Sequence, residues 1–269
     1  MDNTLNYNGC KIFYRCSGAG NPVMLVHGFG EDGEIWNAQQ SFLQQNFKVI
    51  VPDLPGSGRS EMTDDMSIEG MAEVIKAILE QENIASCPVI GHSMGGYITL
   101  ALAEKYPQQL SAFGLFHSTA YADSEEKKAT RRKAIEFIQN HGAYEFLKTA
   151  IPNLFAESTR NNTPKVVATL TEKGKDFSAE ALAAYYEAMI ARPDRTAVLK
   201  ETTVPVLFVI GEYDGAVSPD DSLQQSHLPA IADVHILKES GHMGMLEETG
   251  KANLLLESFL NFVTEQSAK

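Results

Sequence analysis

No stretch of this chain approaches the roughly 20 consecutive apolar residues that cross a bilayer, so a membrane-spanning protein is not expected. The opening residues, Met1-Asp2-Asn3-Thr4, lack a basic segment followed by an apolar one, and no secretory signal is read there. Cysteine is sparse. Cys10, Cys16 and Cys87 form an odd set without the additional ligands of a metal site, which suits a reducing compartment, and the cytoplasm is the expected location. Cys10 and Cys16 are near enough to meet across a hairpin, but free thiols are the plainer reading. Positive charge is scarce as well: 22 Lys and Arg stand against 35 Asp and Glu, a net charge of −13. That balance argues against nucleic acid or an anionic membrane surface as a partner. What is present is ordinary for a globular protein, with 43% hydrophobic and 21% charged residues, and 269 residues suit one large α/β domain or one domain carrying an insertion.

The chain is organised around residues 91–96, Gly-His-Ser-Met-Gly-Gly, between an apolar run ending at Val89-Ile90 and a helical pattern beginning at Tyr97. The spacing predicts a strand, a sharp turn and a helix, with Ser93 at the turn. Gly91 and Gly95 carry no Cβ to collide with the neighbouring chain, and the helix N-terminus lies beside the hydroxyl, where an oxyanion is stabilised during acyl transfer. The pattern G-x-S-x-G alone arises by accident about one time in ten in a chain of this length, so its partners must decide.

In chain order, residues 4–16 alternate and turn at Asn8-Gly9, which predicts an antiparallel edge hairpin. Pro22 to Val26 reads as a strand buried on both faces and ends in His27-Gly28-Phe29-Gly30, where the Phe29 N–H is placed to point above the strand; a plain loop glycine pair explains the segment equally well. A helix is expected over about 33–45, a strand over 48–51, and then a loop, Pro52 to Ser60, whose spacing is not that of a phosphate loop. Asp53 is expected to brace that loop. Residues 67–81 carry a helical stripe of Ile68, Met71, Ala72, Ile75, Ile78 and Leu79, and 112–116 read as a strand. The alternation implies a mainly parallel central sheet flanked by helices.

Residues 120–200 break the rhythm and read as a helical insertion over the strand ends, separating a core of 1–119 and 201–269. Asp123 with Glu126 looks like a capping box, Ser178 like another N-cap, and Leu182, Tyr185, Tyr186 and Met189 like a stripe that packs first and meets a ligand second. The mixed charges from Glu125 to Lys133 suit a solvated helix face. Strands follow at 204–210 and 234–237, with Asp214 just past the first and His242, in Ser240-Gly241-His242-Met243-Gly244, past the second. Leu255, Phe259, Phe262 and Val263 make an amphipathic closing helix.

Ser93, Asp214 and His242 thus stand at three strand ends in the chain order Ser, Asp, His. With HGFG at 27–30, DLPGSGRS at 53–60, GHSMGG at 91–96, GEYD at 211–214 and SGHMG at 240–244, the chain resembles the α/β-hydrolase fold family, specifically its lid-bearing, esterase-like members, over nearly its whole length. The resemblance implies that His242 is the general base for Ser93 and that Asp214 orients it. It also implies that the Phe29 and Met94 N–H groups form an oxyanion hole, and that the reaction runs through an acyl-enzyme without metal or organic cofactor.

Glu212, Asp220 and Asp221 are rivals for Asp214. Among the histidines, His27 and His92 belong to the motifs, His235 lies within a strand, and His117, His141 and His227 lack a glycine-flanked loop at the right place. Tyr121, Tyr185, Met189 and Met243, with Phe29, are candidate walls of a pocket for a small ester or related acyl substrate. Ser93 in place of an elbow aspartate disfavours epoxide and carbon–halogen hydrolysis. HGFG lacks the glycine-proline signature of proline iminopeptidases and many carbon–carbon hydrolases. A triad-retaining small-molecule sensor, suggested by HGFG followed by an acidic residue and Trp36, remains open, as do a cofactor-free haloperoxidase and a carbon–carbon bond hydrolase.

Overall fold

A computed structural model describes residues 1–267. Strands β1 (Asp2–Tyr7) and β2 (Cys10–Ser17) form the expected antiparallel hairpin, and both turn residues, Asn8 (φ 52°) and Gly9 (φ 92°), take the left-handed conformation such a turn needs. The remaining strands are β3 (Asn21–Val26), β4 (Phe47–Pro52), β5 (Cys87–His92), β6 (Leu110–Phe116), β7 (Val206–Gly211) and β8 (Ala232–Leu237). They make one eight-stranded sheet of order β1-β2-β4-β3-β5-β6-β7-β8; β2 pairs antiparallel with β4, and all pairs from β4 to β8 are parallel. Every residue of β5 and β7 is buried, because helices cover both faces of the central strands.

A 3-10 turn over Gly33–Trp36 leads into α1 (Asn37–Leu43), so the helix expected across 33–45 is split into two pieces. Helix α2 (Ile68–Gln81) is capped by Ser67, whose hydroxyl accepts from the Gly70 N–H, and α3 (Met94–Lys105) follows the elbow. Between β6 and β7 lie only helices and turns: α4 (Glu125–His141), α5 (Ala143–Ala150), α6 (Glu157–Asn162), α7 (Pro164–Lys173), α8 (Ala179–Ala191) and α9 (Thr196–Glu201). Three more complete the chain: α10 (Pro219–Gln225), α11 (Gly244–Glu247) and α12 (Thr249–Ser267).

Two local expectations are corrected. Ser124, not Asp123, caps α4 by accepting from the Lys127 N–H. Asp123 instead accepts from Arg131 Nε (2.6 Å) and Arg192 Nη2 (3.0 Å), pinning the two ends of the inserted helices together. On α12, Leu255, Phe259 and Val263 are buried as expected, but Phe262 is 38% exposed, since the buried arc is narrower than four residues in the pattern require. Cys10, Cys16 and Cys87 are free thiols; Cys10 faces Tyr7 across the hairpin and Cys16 pairs with Ile50. Asp53 braces its loop, accepting from the Gly33 N–H (2.9 Å) and the Arg59 N–H (2.9 Å). Among the described residues no helix is long and apolar enough to cross a membrane.

The tightest approach of backbones lies at the elbow. A Cβ on Gly91 would collide with the Gly95 carbonyl, and one on Gly95 would sit 2.5 Å from the Val26 carbonyl oxygen. Neither neighbour is a flexible side chain that could yield, so Gly91→Ala is expected to cost about 3 kcal/mol, at the upper end of overpacking effects. Gly250, at the start of α12 with nothing within 4 Å of an added Cβ, is the control: Gly250→Ala is neutral or stabilising. Urea unfolding of the two variants checks this; equal midpoints would contradict the packing argument.

Candidate active site

Ser93 joins β5 directly to α3 in the left-handed region, at φ 51° and ψ −115°, an uncommon conformation for a residue with a Cβ. Its N–H donates to the Phe116 carbonyl (3.0 Å) at the end of β6, and its own carbonyl accepts from Ser118 Oγ (2.7 Å) in the turn that follows, so β6 and its turn fix both sides. The side chain is only half-buried, and among the described residues its hydroxyl forms no hydrogen bond.

Asp214 lies in the turn after β7 and His242 in the turn after β8. They meet: His242 Nδ1 donates to Asp214 Oδ2 at 2.8 Å. The other carboxylate oxygen, Oδ1, accepts from the Ala216 and Val217 N–H groups at 2.8 and 2.9 Å. Burial alone would raise the Asp214 carboxyl, but the adjacent His242 and His117 outweigh it and hold the carboxyl well below the usual range. Asp214 is therefore an anion with fixed orientation. Glu212 is exposed, and Asp220 and Asp221 sit in the first turn of α10.

The His242 loop is itself held by carboxylates and carbonyls. Glu247 Oε1 accepts from the N–H groups on either side of the histidine, Gly241 (2.8 Å) and Met243 (3.1 Å). Its Oε2 reaches the inserted helices, accepting from the Ala156 N–H (2.8 Å) and Thr159 Oγ1 (2.7 Å). The His242 N–H donates to the Leu154 carbonyl at 2.6 Å. The insertion and the loop thus share one hydrogen-bonded unit.

A second buried pair ties this loop to the segment after β3. Glu31 Oε2 accepts from the Gly28 N–H (2.9 Å) and is paired with His92 Nδ1 (2.9 Å), while His92 Nε2 donates to the His242 carbonyl (2.9 Å). Burial opposes charge on both, yet their mutual attraction prevails: the Glu31 carboxyl lies below its ordinary value and the His92 imidazole above it. His27 braces the same segment, Nε2 accepting from the Leu54 N–H (2.9 Å) and Nδ1 donating to the Gly28 carbonyl (2.9 Å). Among the described residues the Phe29 N–H has no acceptor, and the Met94 N–H, at the start of α3, has none within its helix.

The remaining expected residues are placed unequally. The Phe29 ring stacks on Tyr186, with centroids 4.2 Å apart, and meets Phe146 and Tyr185 edge-on, each at 6.3 Å. Tyr186 was expected only as part of the α8 stripe; burial pushes its phenol up to about 12. Tyr185 instead donates its hydroxyl to the Pro55 carbonyl (2.5 Å) and contacts Ser57 Oγ (2.7 Å), fastening α8 to the loop after β4. Met189 and Met243 are buried in the core. Tyr121 lines a surface depression with Thr196, Lys200, Gln224, His227 and Leu228.

His117, immediately after β6 and without a glycine-flanked loop, joins the site nonetheless. Its Nδ1 lies 3.4 Å from Asp214 Oδ2, and its Nε2 accepts from the Gly244 N–H at 3.1 Å. With Asp214 and His242 it forms a cluster whose ligand-type atoms lie within 4.8 Å of one another, yet these atoms already face each other and backbone donors, an arrangement that suits proton transfer better than chelation.

The fold and this geometry define the class. Residues 21–133 match the family model described as alpha/beta hydrolase fold. The structure superposes on a thermophilic esterase from Thermogutta terrifontis with a TM-score of 0.92 at 28% identity, covering 98% of this chain and 99% of that one. The chain thus has the α/β-hydrolase fold. Among curated proteins it is 27% identical to Lipase 1 of Psychrobacter immobilis, over 89% of this chain and 77% of the lipase. It is 28% identical to the dihydrolipoyllysine-residue acetyltransferase component of the acetoin cleaving system of Pseudomonas putida, over 90% of this chain, which spans 64% of that relative's length.

The Glu31–His92 pair predicts a pH window. A lowered Glu31 contributes stability that is complete above about pH 4.3 and lost as pH falls further; a raised His92 contributes stability that is complete below about pH 6.5 and lost as pH rises through its folded value. The urea-midpoint advantage of the wild type over Glu31→Gln/His92→Gln should therefore be widest between those two values and shrink on both sides. A difference that stays constant from pH 4 to 9 would show that the pair is not ionised.

Proposed function

We propose that this chain is a serine hydrolase that cleaves a small carboxylic ester or related acyl compound through an acyl-enzyme. The observation that carries the reading is the 2.8 Å hydrogen bond from His242 to Asp214, in the loop whose His242 carbonyl accepts from His92, the residue preceding Ser93. Asp214 holds Nδ1 protonated, which leaves His242 Nε2 as the base. Nε2 takes the Ser93 proton as Oγ bonds to the substrate carbonyl carbon, and the carbonyl oxygen becomes an oxyanion. The Phe29 and Met94 N–H groups receive that charge, helped by the positive end of α3.

The imidazolium, stabilised by Asp214, gives its proton to the departing alcohol oxygen as the tetrahedral centre collapses. Water, deprotonated in turn by His242, attacks the acyl carbon and releases the acid with Ser93 restored. Metal or organic cofactors have no part in these steps. The inserted helices serve as a lid, bringing Tyr186 and Phe146 against Phe29 as an apolar wall for the substrate. We place the activity in the cytoplasm, where the three free thiols stay reduced. The likeness to a solved esterase and a curated lipase supports an ester as the substrate class.

Hydrolysis of p-nitrophenyl esters from acetate to octanoate tests the proposal. Wild-type turnover is expected to fall at least about 10⁴-fold in Ser93→Ala. No turnover of any ester, or turnover that survives Ser93→Ala, would overturn it; slow turnover with specific capture of a protein partner would point to the sensor instead.

A further inference from the structure

We infer that His117 is a positioning residue for this reaction: its Nδ1–H sits against Asp214 Oδ2 and shares that oxygen with His242, so that Asp214 is held between two histidines. The inference rests on the triad reading above and on four features of the His117 site.

First, the tautomer is set. Nε2 accepts from the Gly244 N–H at 3.1 Å, so the proton of the ring is on Nδ1, the atom 3.4 Å from Asp214 Oδ2. At that distance the approach falls short of a formed hydrogen bond, and Nδ1 is a buried polar atom without another partner, which leaves the Asp214 carboxylate as the acceptor beside it. Second, the ring is kept neutral, because burial pushes the His117 imidazole down to about 4; it supplies a donor without adding a positive charge beside His242. Third, the backbone is strained to place it. His117 has φ 49°, and its N–H is anchored to the Val209 carbonyl at 2.8 Å. Fourth, room is made for the ring by glycines remote in sequence: a Cβ on Gly211 would lie 2.9 Å from His117 Cε1, and one on Gly244 would lie 2.5 Å from Nε2.

The functional consequence is electrostatic. A buried N–H dipole 3.4 Å from Oδ2 drains part of the carboxylate's attraction for the His242 imidazolium, so His117 tempers the base beside its partner. The charged or titratable groups facing this unit are His92 from β5, with its ring 6.0 Å from that of His117 and 4.9 Å from that of His242, Glu31 behind His92, Asp214 and His242 itself.

The test compares His117→Phe, which fills the space without an N–H, with His117→Asn, whose amide stands near the Nδ1 position and whose backbone tolerates positive φ. In His117→Phe, kcat should fall about tenfold with KM unchanged, and the acid limb of the kcat/KM profile should move up by about half a pH unit, because Asp214 then holds the imidazolium more tightly. His117→Asn should restore the limb. Histidine Hε1 resonances followed by NMR through the same pH range read the His242 midpoint without turnover, so the positioning role is tested even if the ester reading fails. Identical limbs and midpoints in wild type and folded His117→Phe would overturn the inference, as would equal shifts in both variants.

Discussion

At the elbow, β5 turns into α3 through a single residue, and that residue sits at φ 51°. Such a conformation costs on the order of 1–3 kcal/mol and persists only where the surroundings leave no alternative. Here Gly91 and Gly95 let the strand, the helix and β3 pass closer than any side chain permits, while β6 and the turn after it grip the N–H and the carbonyl of Ser93. The buried strands on either side supply the rigidity. The order β3-β5-β6-β7-β8 then brings five strand ends to one edge of the sheet.

The charges gathered at that edge are matched, with Asp214 and Glu31 buried and Glu247 half-buried. Asp214 is met by two backbone N–H groups and His242, with His117 alongside; Glu31 is met by Gly28 and His92; Glu247 has four donors. Unpaired, Asp214 and Glu31 would be costly in the interior; paired, they trade hydration for orientation. Their partners come from different loops, so they bind the segment after β3, the elbow and the His242 turn into one piece. Glu247 extends the unit to the inserted helices, tying the His242 turn to them.

The elbow, the buried strands and the five motif segments were legible in the sequence because each is local: glycine spacing, apolar runs and turn residues act within a few positions. The contacts that escaped reading are between remote residues. His117 follows a strand without a glycine beside it, and the glycines that make its room, Gly211 and Gly244, belong to other loops. Asp123 looked like a cap because Glu126 follows at the right spacing, but Ser124 takes that place and two arginines claim the carboxylate. Tyr185 and Tyr186 differ by one helical step of about 100°, enough to send one hydroxyl to Pro55 and the other ring onto Phe29; the sequence stripe contains both.

The measurement that reaches the central claim most directly is a covalent trap for a nucleophilic serine. Diethyl p-nitrophenyl phosphate transfers its phosphoryl group to an activated serine and releases p-nitrophenolate, so intact mass and peptide mapping read both stoichiometry and position. One diethylphosphoryl group on Ser93, formed at least about 10³-fold more slowly in His242→Ala, is the predicted result. Labelling at another residue, or at Ser93 with the same rate in His242→Ala, would contradict the account.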